Sequence, residues 1–231
     1  MKNFTAIFDM DGTLVDNTPY HYKSWQAFYK KHNLGEIALE TYKKHSLGDI
    51  SIETYKTKIS GVPIIETMRK LYPNADEETL KQYREEKEVV YRELYAPFLA
   101  PINGLENFLT ELKDAGIKMA MASSATMVDI NFILNKIPIR DDFEAIIDGS
   151  RVSKGKPNPQ IFLKAAADLN AKPEDCVVFE DSLAGIQAAN AAGMKVVAIT
   201  TGHPAADLHP VNLVIDDYAG LTVQKLAALF E

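Results

Sequence analysis

Six short apolar runs, at residues 5–8, 119–122, 145–147, 176–179, 196–199 and 213–215, limit what this chain can fold into. Each is too short for a helix, and each stops at polar or turn-forming residues, which is the pattern of a buried strand. From residue 97 onward, helical stretches at 126–135, 159–169, 183–192 and 221–230 separate most of the runs. Alternation of that kind predicts an α/β fold with a doubly wound, mostly parallel sheet.

The interval between the first two runs breaks the alternation. Thr18-Pro19 offers an N-cap and N1 pair, after which Tyr22, Trp25, Phe28 and Tyr29 recur at helical spacing. Gly61-Val62-Pro63 precedes a second helical pattern at Ile64, Ile65, Met68 and Leu71. Asn74-Ala75-Asp76 starts a long helix whose apolar stripe is Leu80, Tyr83, Val90 and Leu94, with Lys87 on the same face. Glu-Thr-Tyr-Lys occurs at 40–43 and again at 53–56, too closely spaced for a solenoid repeat. Residues 18–97 therefore read as an all-helical cap inserted after the first strand. Residues 1–17 and 98–231 would form one core, with 15–18 and 96–101 as the paired crossings. Gly116 has the place of a helix C′ residue, closing a helix marked by Leu105, Phe108, Leu109 and Leu112.

The ends of the runs carry the chemistry. The first stops at Asp9-Met10-Asp11-Gly12, the second at Ser123-Ser124, the fourth at Glu180-Asp181 and the fifth at Thr200-Thr201. In a parallel sheet these ends share one edge, where ligands bind. Two carboxylates this close repel unless a cation or proton intervenes, and an oxygen-rich set from Asp9, Asp11 and Asp181 suits Mg²⁺. Glu180 and Asp181 also suit the N-terminus of the helix that follows. Ser123 and the adjacent backbone N–H groups make an anion site or an ordinary cap. Lys156, in Lys154-Gly155-Lys156-Pro157, supplies positive charge that could neutralise a carboxylate and a phosphate together.

The net charge of -7 argues against nucleic-acid or anionic-membrane binding, without excluding a small anionic substrate. Cys176 is the only cysteine, so no intrachain disulfide forms, and its apolar run places it in the core. No apolar run approaches a membrane span, and residues 1–3 lead directly into a strand. A monomer in a reducing cytoplasm is the expectation.

Asp9-Met10-Asp11-Gly12-Thr13-Leu14, Ser123, Lys156-Pro157 and Glu180-Asp181-Ser182 together resemble, in order and spacing, the four motifs of the haloacid dehalogenase-like superfamily. Asp16, Pro101-Ile102-Asn103-Gly104 and Ala184-Gly185-Ile186-Gln187-Ala188-Ala189 are similar to its helical-cap subgroup, which includes β-phosphoglucomutases and small-molecule phosphatases. The resemblance implies a Rossmann-like core and an aspartyl-phosphate mechanism. Asp9 would be the nucleophile. Asp11 would act as general acid and then base, a role that requires the site to raise its pKa. Asp9, the backbone oxygen of Asp11, and Asp181 would hold Mg²⁺, with Glu180 as a ligand or a supporting acid. Ser123, backbone near Ser124, and Lys156 would bind the phosphoryl group. An acid at Asp11 argues against dehalogenation, because a departing halide needs no proton.

Within that subgroup the mutases carry a cap arginine three residues after a glycine, where this chain has Gly61 and then Ile64. They also carry Lys-Asn after the serine of the second motif, where this chain has Thr126-Met127. Hydrolysis of a small phosphorylated metabolite, a sugar phosphate above all, is therefore expected before phosphomutase or inorganic pyrophosphatase activity. Lys87 matches a cap lysine that contacts substrate in the sugar-phosphate mutases. Its alternative is a stem snorkelling along apolar surface. His21 reads as a structural histidine on a helix face, and Lys44 and Lys58 as solvated lysines.

Overall fold

The computed structural model describes residues 4–32 and 51–231. Lys44 and the first Glu-Thr-Tyr-Lys copy lie outside the described residues. Six strands form one parallel sheet: β1 (Thr5–Phe8), β2 (Lys118–Ala122), β3 (Ala145–Ile147), β4 (Cys176–Glu180), β5 (Lys195–Ile199) and β6 (Leu213–Ile215). Their spatial order is β3-β2-β1-β4-β5-β6, all neighbours parallel. The chain leaves β1 toward β2 and β3, then returns to β1's other side with β4. That reversal puts a crevice beyond the carboxyl ends of β1 and β4. Phe8 is in register with Phe179 of β4, so Asp9 and the residues after Glu180 emerge side by side.

Side-chain alternation divides the strands between two cores. Ala6, Phe8, Met119, Met121, Val177 and Phe179 face helix α5 (Leu105–Asp114), α6 (Met127–Leu134) and α9 (Val223–Ala227). Ile7, Ala120, Ala122, Cys176 and Val178 face α7 (Gln160–Asp168) and α8 (Leu183–Ala191). Cys176 is buried, as its apolar run implied. Gly116 has φ 69° just beyond α5, the left-handed C′ conformation that glycine adopts without strain.

The interval between β1 and β2 folds into α1 (Thr18–Lys31), α2 (Ile52–Lys58), α3 (Ile64–Leu71) and α4 (Glu77–Tyr95) among the described residues. These helices enclose a separate core of Trp25, Phe28, Tyr29, Tyr55, Ile59, Met68, Leu71 and Leu80. The two passes of the chain meet where Val15 bridges Pro101 and the Ile102 N–H donates to the Leu14 carbonyl at 3.0 Å.

Two local expectations need correction. Asn17, not Thr18, caps α1, and its side chain makes no capping hydrogen bond because it is used elsewhere. On α4 the buried face is Leu80, Lys87, Glu88, Tyr91 and Tyr95, while Leu94 is exposed. The register follows the polar tips: Lys87 and Glu88 pair with each other, and both tyrosines pack toward α1.

Phe8 stacks on Phe179 with centroids 4.4 Å apart and meets Phe143 edge-on at 6.0 Å. Phe8→Ala should destabilise the fold by about 3–5 kcal/mol in urea unfolding, the usual cost of emptying an aromatic core site. A loss below about 1 kcal/mol would show that the sheet does not depend on this stack.

Candidate active site

The strand-end residues converge as their positions in the sheet require. Lys156 is 1% exposed, and its Nζ donates to Asp9 Oδ1 at 2.7 Å and to Glu180 Oε1 at 2.6 Å. The other oxygen of Glu180 accepts from the Asp181 N–H at 2.9 Å, the Ser182 N–H at 2.8 Å and the Ser182 hydroxyl at 2.9 Å. Glu180 is thus saturated: it anchors the lysine and shapes the start of α8. Ser182 caps that helix by accepting from the Gly185 N–H at 3.1 Å. Gly185 sits in the first turn because any Cβ there would overlap the Glu180 carboxylate. Gly12 has φ 72°, and a Cβ on it would overlap the Asp181 carboxylate.

Ligand atoms of Asp9, Glu180 and Asp181 lie within 4.8 Å of one another. Three buried carboxylates share one buried ammonium, which leaves net negative charge. Burial, opposed by Lys156 and reinforced by Glu180 and Asp11, pushes Asp9 up to about 8. Burial and then the charges of Glu180 and Asp9 drive Asp181 well above the ordinary carboxylate range. Burial pulls the Lys156 ammonium down, but the charges of Asp9 and Glu180 prevail and hold it above its ordinary value. A hard, oxygen-only donor set with surplus negative charge fits a divalent cation such as Mg²⁺. With Glu180 saturated, the atoms best placed to hold one are the carboxylates of Asp9 and Asp181.

Asp11 stands apart from that cluster. Its Oδ1 accepts from Asn17 Nδ2 at 2.6 Å and lies 3.5 Å from His21 Nε2. Only a backbone oxygen of Asp11 is left to offer a cation. Burial would raise Asp11, but the hydrogen bond and charge of His21, followed by Asn17, hold it below the ordinary carboxylate value. The expectation that the site alone raises Asp11 is not met: here it is a carboxylate, ready to accept a proton.

Asn17 was not singled out by sequence, although it is the helix cap most tied to the site. Its Oδ1 accepts from the Gly12 N–H at 3.1 Å and its Nδ2 also donates to the Tyr91 hydroxyl at 2.7 Å. Tyr91 stacks on His21 with centroids 3.7 Å apart and 7° between planes. Lys87 Nζ lies 2.7 Å from His21 Nδ1 and 2.9 Å from Glu88 Oε1. An ammonium can only donate, so Nδ1 accepts and the imidazole proton sits on Nε2, facing Asp11. Glu88, Lys87 and His21 thus form one line ending at Asp11. Lys87 is fully buried in this line, not snorkelling into solvent.

A cavity of about 340 Å³ joins the two sets. Asp9, Asp11, Lys156 and Asp181 line one end, and Ile64, Arg84, Lys87 and Glu88 line the helical side. Ser124 lines it too, and its hydroxyl donates to the Gly61 carbonyl at 3.2 Å. Ser123 is fully buried and accepts from the Ala125 N–H at 3.1 Å. Lys58 is exposed.

The sequence model of the haloacid dehalogenase-like hydrolases matches residues 5–193, which carry every one of these core residues. The chain belongs to that family. Over 222 residues it is 33% identical to a β-phosphoglucomutase of Bacillus subtilis, covering 96% of this chain and 92% of that one. It is 31% identical over 190 residues to a phosphorylated carbohydrates phosphatase of Thermotoga maritima, covering 82% of each. The structure superposes on a β-phosphoglucomutase of Clostridium difficile with a TM-score of 0.81 and 28% identity, covering 99% of this chain and 97% of that one.

Two outcomes follow for solution measurements. Because Asp9 is held near 8 without a cation, it is mainly protonated at neutral pH. Mg²⁺ binding should therefore release protons, tighten as pH rises toward 8, and give a calorimetric enthalpy that varies with the buffer. Asp181→Asn should weaken the binding about tenfold or more. Buffer-independent heat, or unchanged affinity in the variant, would remove the site from these residues. His21→Gln should move the acid limb of the kcat/KM profile to higher pH, since Asp11 loses the donor that holds it low. An unmoved limb would detach His21 from Asp11.

Proposed function

We propose that the chain is a Mg²⁺-dependent phosphatase that hydrolyses a small phosphorylated metabolite, a sugar phosphate above all, through an aspartyl-phosphate on Asp9. The observation that carries this is the placement of a buried, lysine-paired Asp9 and a separately held Asp11 on one cavity. Phosphoryl transfer is mainly positioning and charge neutralisation, and these residues supply both. A bound Mg²⁺ would neutralise charge on the phosphoryl oxygens and on Asp9.

In the first step a carboxylate oxygen of Asp9 attacks phosphorus in line, and the bond to the leaving oxygen breaks. Lys156 holds the attacking carboxylate and faces the incoming anion. A phosphate beside Asp11 adds negative charge, which favours a proton on Asp11. That proton goes to the departing alkoxide. Asp11, again a carboxylate, then takes a proton from water as the water oxygen attacks phosphorus. The P–O bond to Asp9 breaks and phosphate leaves. Splitting one displacement into two lowers each barrier.

Residues 18–97 would act as the lid that excludes bulk water, with 15–18 and 96–101 as its hinges. Hydrolysis is favoured over mutase chemistry because Ile64, an apolar residue, lines the cavity where a mutase would carry its phosphate-gripping arginine. The mutase reading keeps one support, the 33% identity to the Bacillus subtilis enzyme.

A purified-protein screen with Mg²⁺ separates the two. Phosphate release from sugar phosphates without isomerisation is expected. Primer-dependent conversion of β-glucose 1-phosphate without net release would overturn the hydrolase assignment. Asp9→Asn should reduce turnover by about 10³-fold or more while leaving the unfolding midpoint within a few degrees of wild type, as expected when a covalent nucleophile is lost.

A further inference from the structure

Among the described residues, five buried side-chain atoms have no hydrogen-bond partner: Thr13 Oγ1, Tyr72 OH, Arg84 Nε, Glu88 Oε2 and His203 Nε2. Only two of them belong to residues that line the active-site cavity, Arg84 and Glu88. They lie four residues apart on α4, hence on one helix face, on the side of the cavity opposite the aspartates. A buried polar atom without a partner is costly and needs an explanation. Two on one cavity wall share one.

The chemistry of the pair narrows what it receives. Glu88 is 1% exposed, and its Oε1 is already paired with Lys87 Nζ at 2.9 Å, so its charge is met. Oε2 can only accept, and what it lacks is a neutral donor. Arg84 Nε carries a single N–H and can only donate. An acceptor beside a donor matches adjacent hydroxyl groups, each of which can give and take a hydrogen bond. A second phosphate fits less well, because Glu88 would repel it and Ile64 offers it nothing.

We propose that Glu88 and Arg84 are the specificity-determining pair of this site, with Glu88 Oε2 accepting from a substrate hydroxyl and Arg84 Nε donating to a neighbouring oxygen. The substrate class is then a polyhydroxylated phosphomonoester with an uncharged body, a sugar or sugar-alcohol monophosphate. This inference rests on the phosphatase reading and refines it.

The test compares glucose 6-phosphate, its single-deoxy analogues and phenyl phosphate, with Mg²⁺ and the full chain. For at least one deoxy analogue, wild type should lose about tenfold or more in kcat/KM relative to phenyl phosphate, since a site built around a hydroxyl rejects its absence. Glu88→Gln keeps an oxygen for Lys87 and replaces the free acceptor with a donor. It should lower the ratio of glucose 6-phosphate to phenyl phosphate kcat/KM by about the same factor, mainly through KM, and should cost that deoxy analogue nothing further. Arg84→Met leaves the Glu88–Lys87–His21 line in place and should lower the same ratio.

An unchanged ratio in both variants, or losses that simply add across the deoxy series, would overturn the pair. Activity on phenyl phosphate without any on the hexose phosphate would overturn it too, while leaving the phosphatase reading standing. If wild type hydrolyses neither compound, the phosphatase reading fails and calorimetric titration with glucose 6-phosphate takes over. There, about tenfold weaker binding by Glu88→Gln supports the pair and equal binding refutes it.

Discussion

The ammonium of Lys156 is taken almost wholly out of water, and a charge in that position persists only where its partners hold it closely. Asp9 and Glu180 do so at 2.7 and 2.6 Å, from the ends of adjacent strands β1 and β4. The rest of the site depends on this pairing. Glu180 is held in turn by the backbone of Asp181 and by Ser182, so the lysine's anchor also sets the entry of the chain into α8. Breaking one contact would leave a buried charge uncompensated, which costs far more than the pair contributes. The crevice made by the order of strands thus becomes a site where carboxylates are forced together and one cation is already built in.

Across the cavity the helical side repeats the logic with different groups. Glu88 and Lys87 are buried together, and Lys87 passes its donor to His21, which presents its own N–H to Asp11. Asp9 and Asp11, two residues apart, are consequently driven in opposite directions. Asp9 is raised by burial among acids, and Asp11 is lowered by its donors. Separate environments for two neighbouring carboxylates are what allow them separate chemical tasks.

Much of this was legible in the sequence. Period and punctuation revealed all six strands, because each is short, apolar and ended by polar residues. The motif residues Asp9, Lys156, Glu180 and Asp181 came together because parallel strands deliver their ends to one edge. What could not be read was the orientation of side chains within the helical segment. The α4 stripe was misread because Lys87 and Glu88 are buried by pairing with each other, which hydrophobic periodicity does not detect. Asn17 was missed because a helix cap and an active-site ligand look alike in sequence. The lowered pKa of Asp11 depends on His21, and His21 is oriented by a lysine distant in the chain.

Gly185 carries a lesson for anyone altering this protein. A glycine in the first turn of a helix is an obvious target for stabilisation, since alanine there gains about 0.5–1 kcal/mol of intrinsic preference. In this fold the added methyl group would displace Glu180, and with it the lysine, the nucleophile's partner and the start of the helix it was meant to strengthen. Thermostability screening and retention of the active centre therefore pull against each other at this position, and the helix keeps its weakest former where the charge network runs closest beneath it.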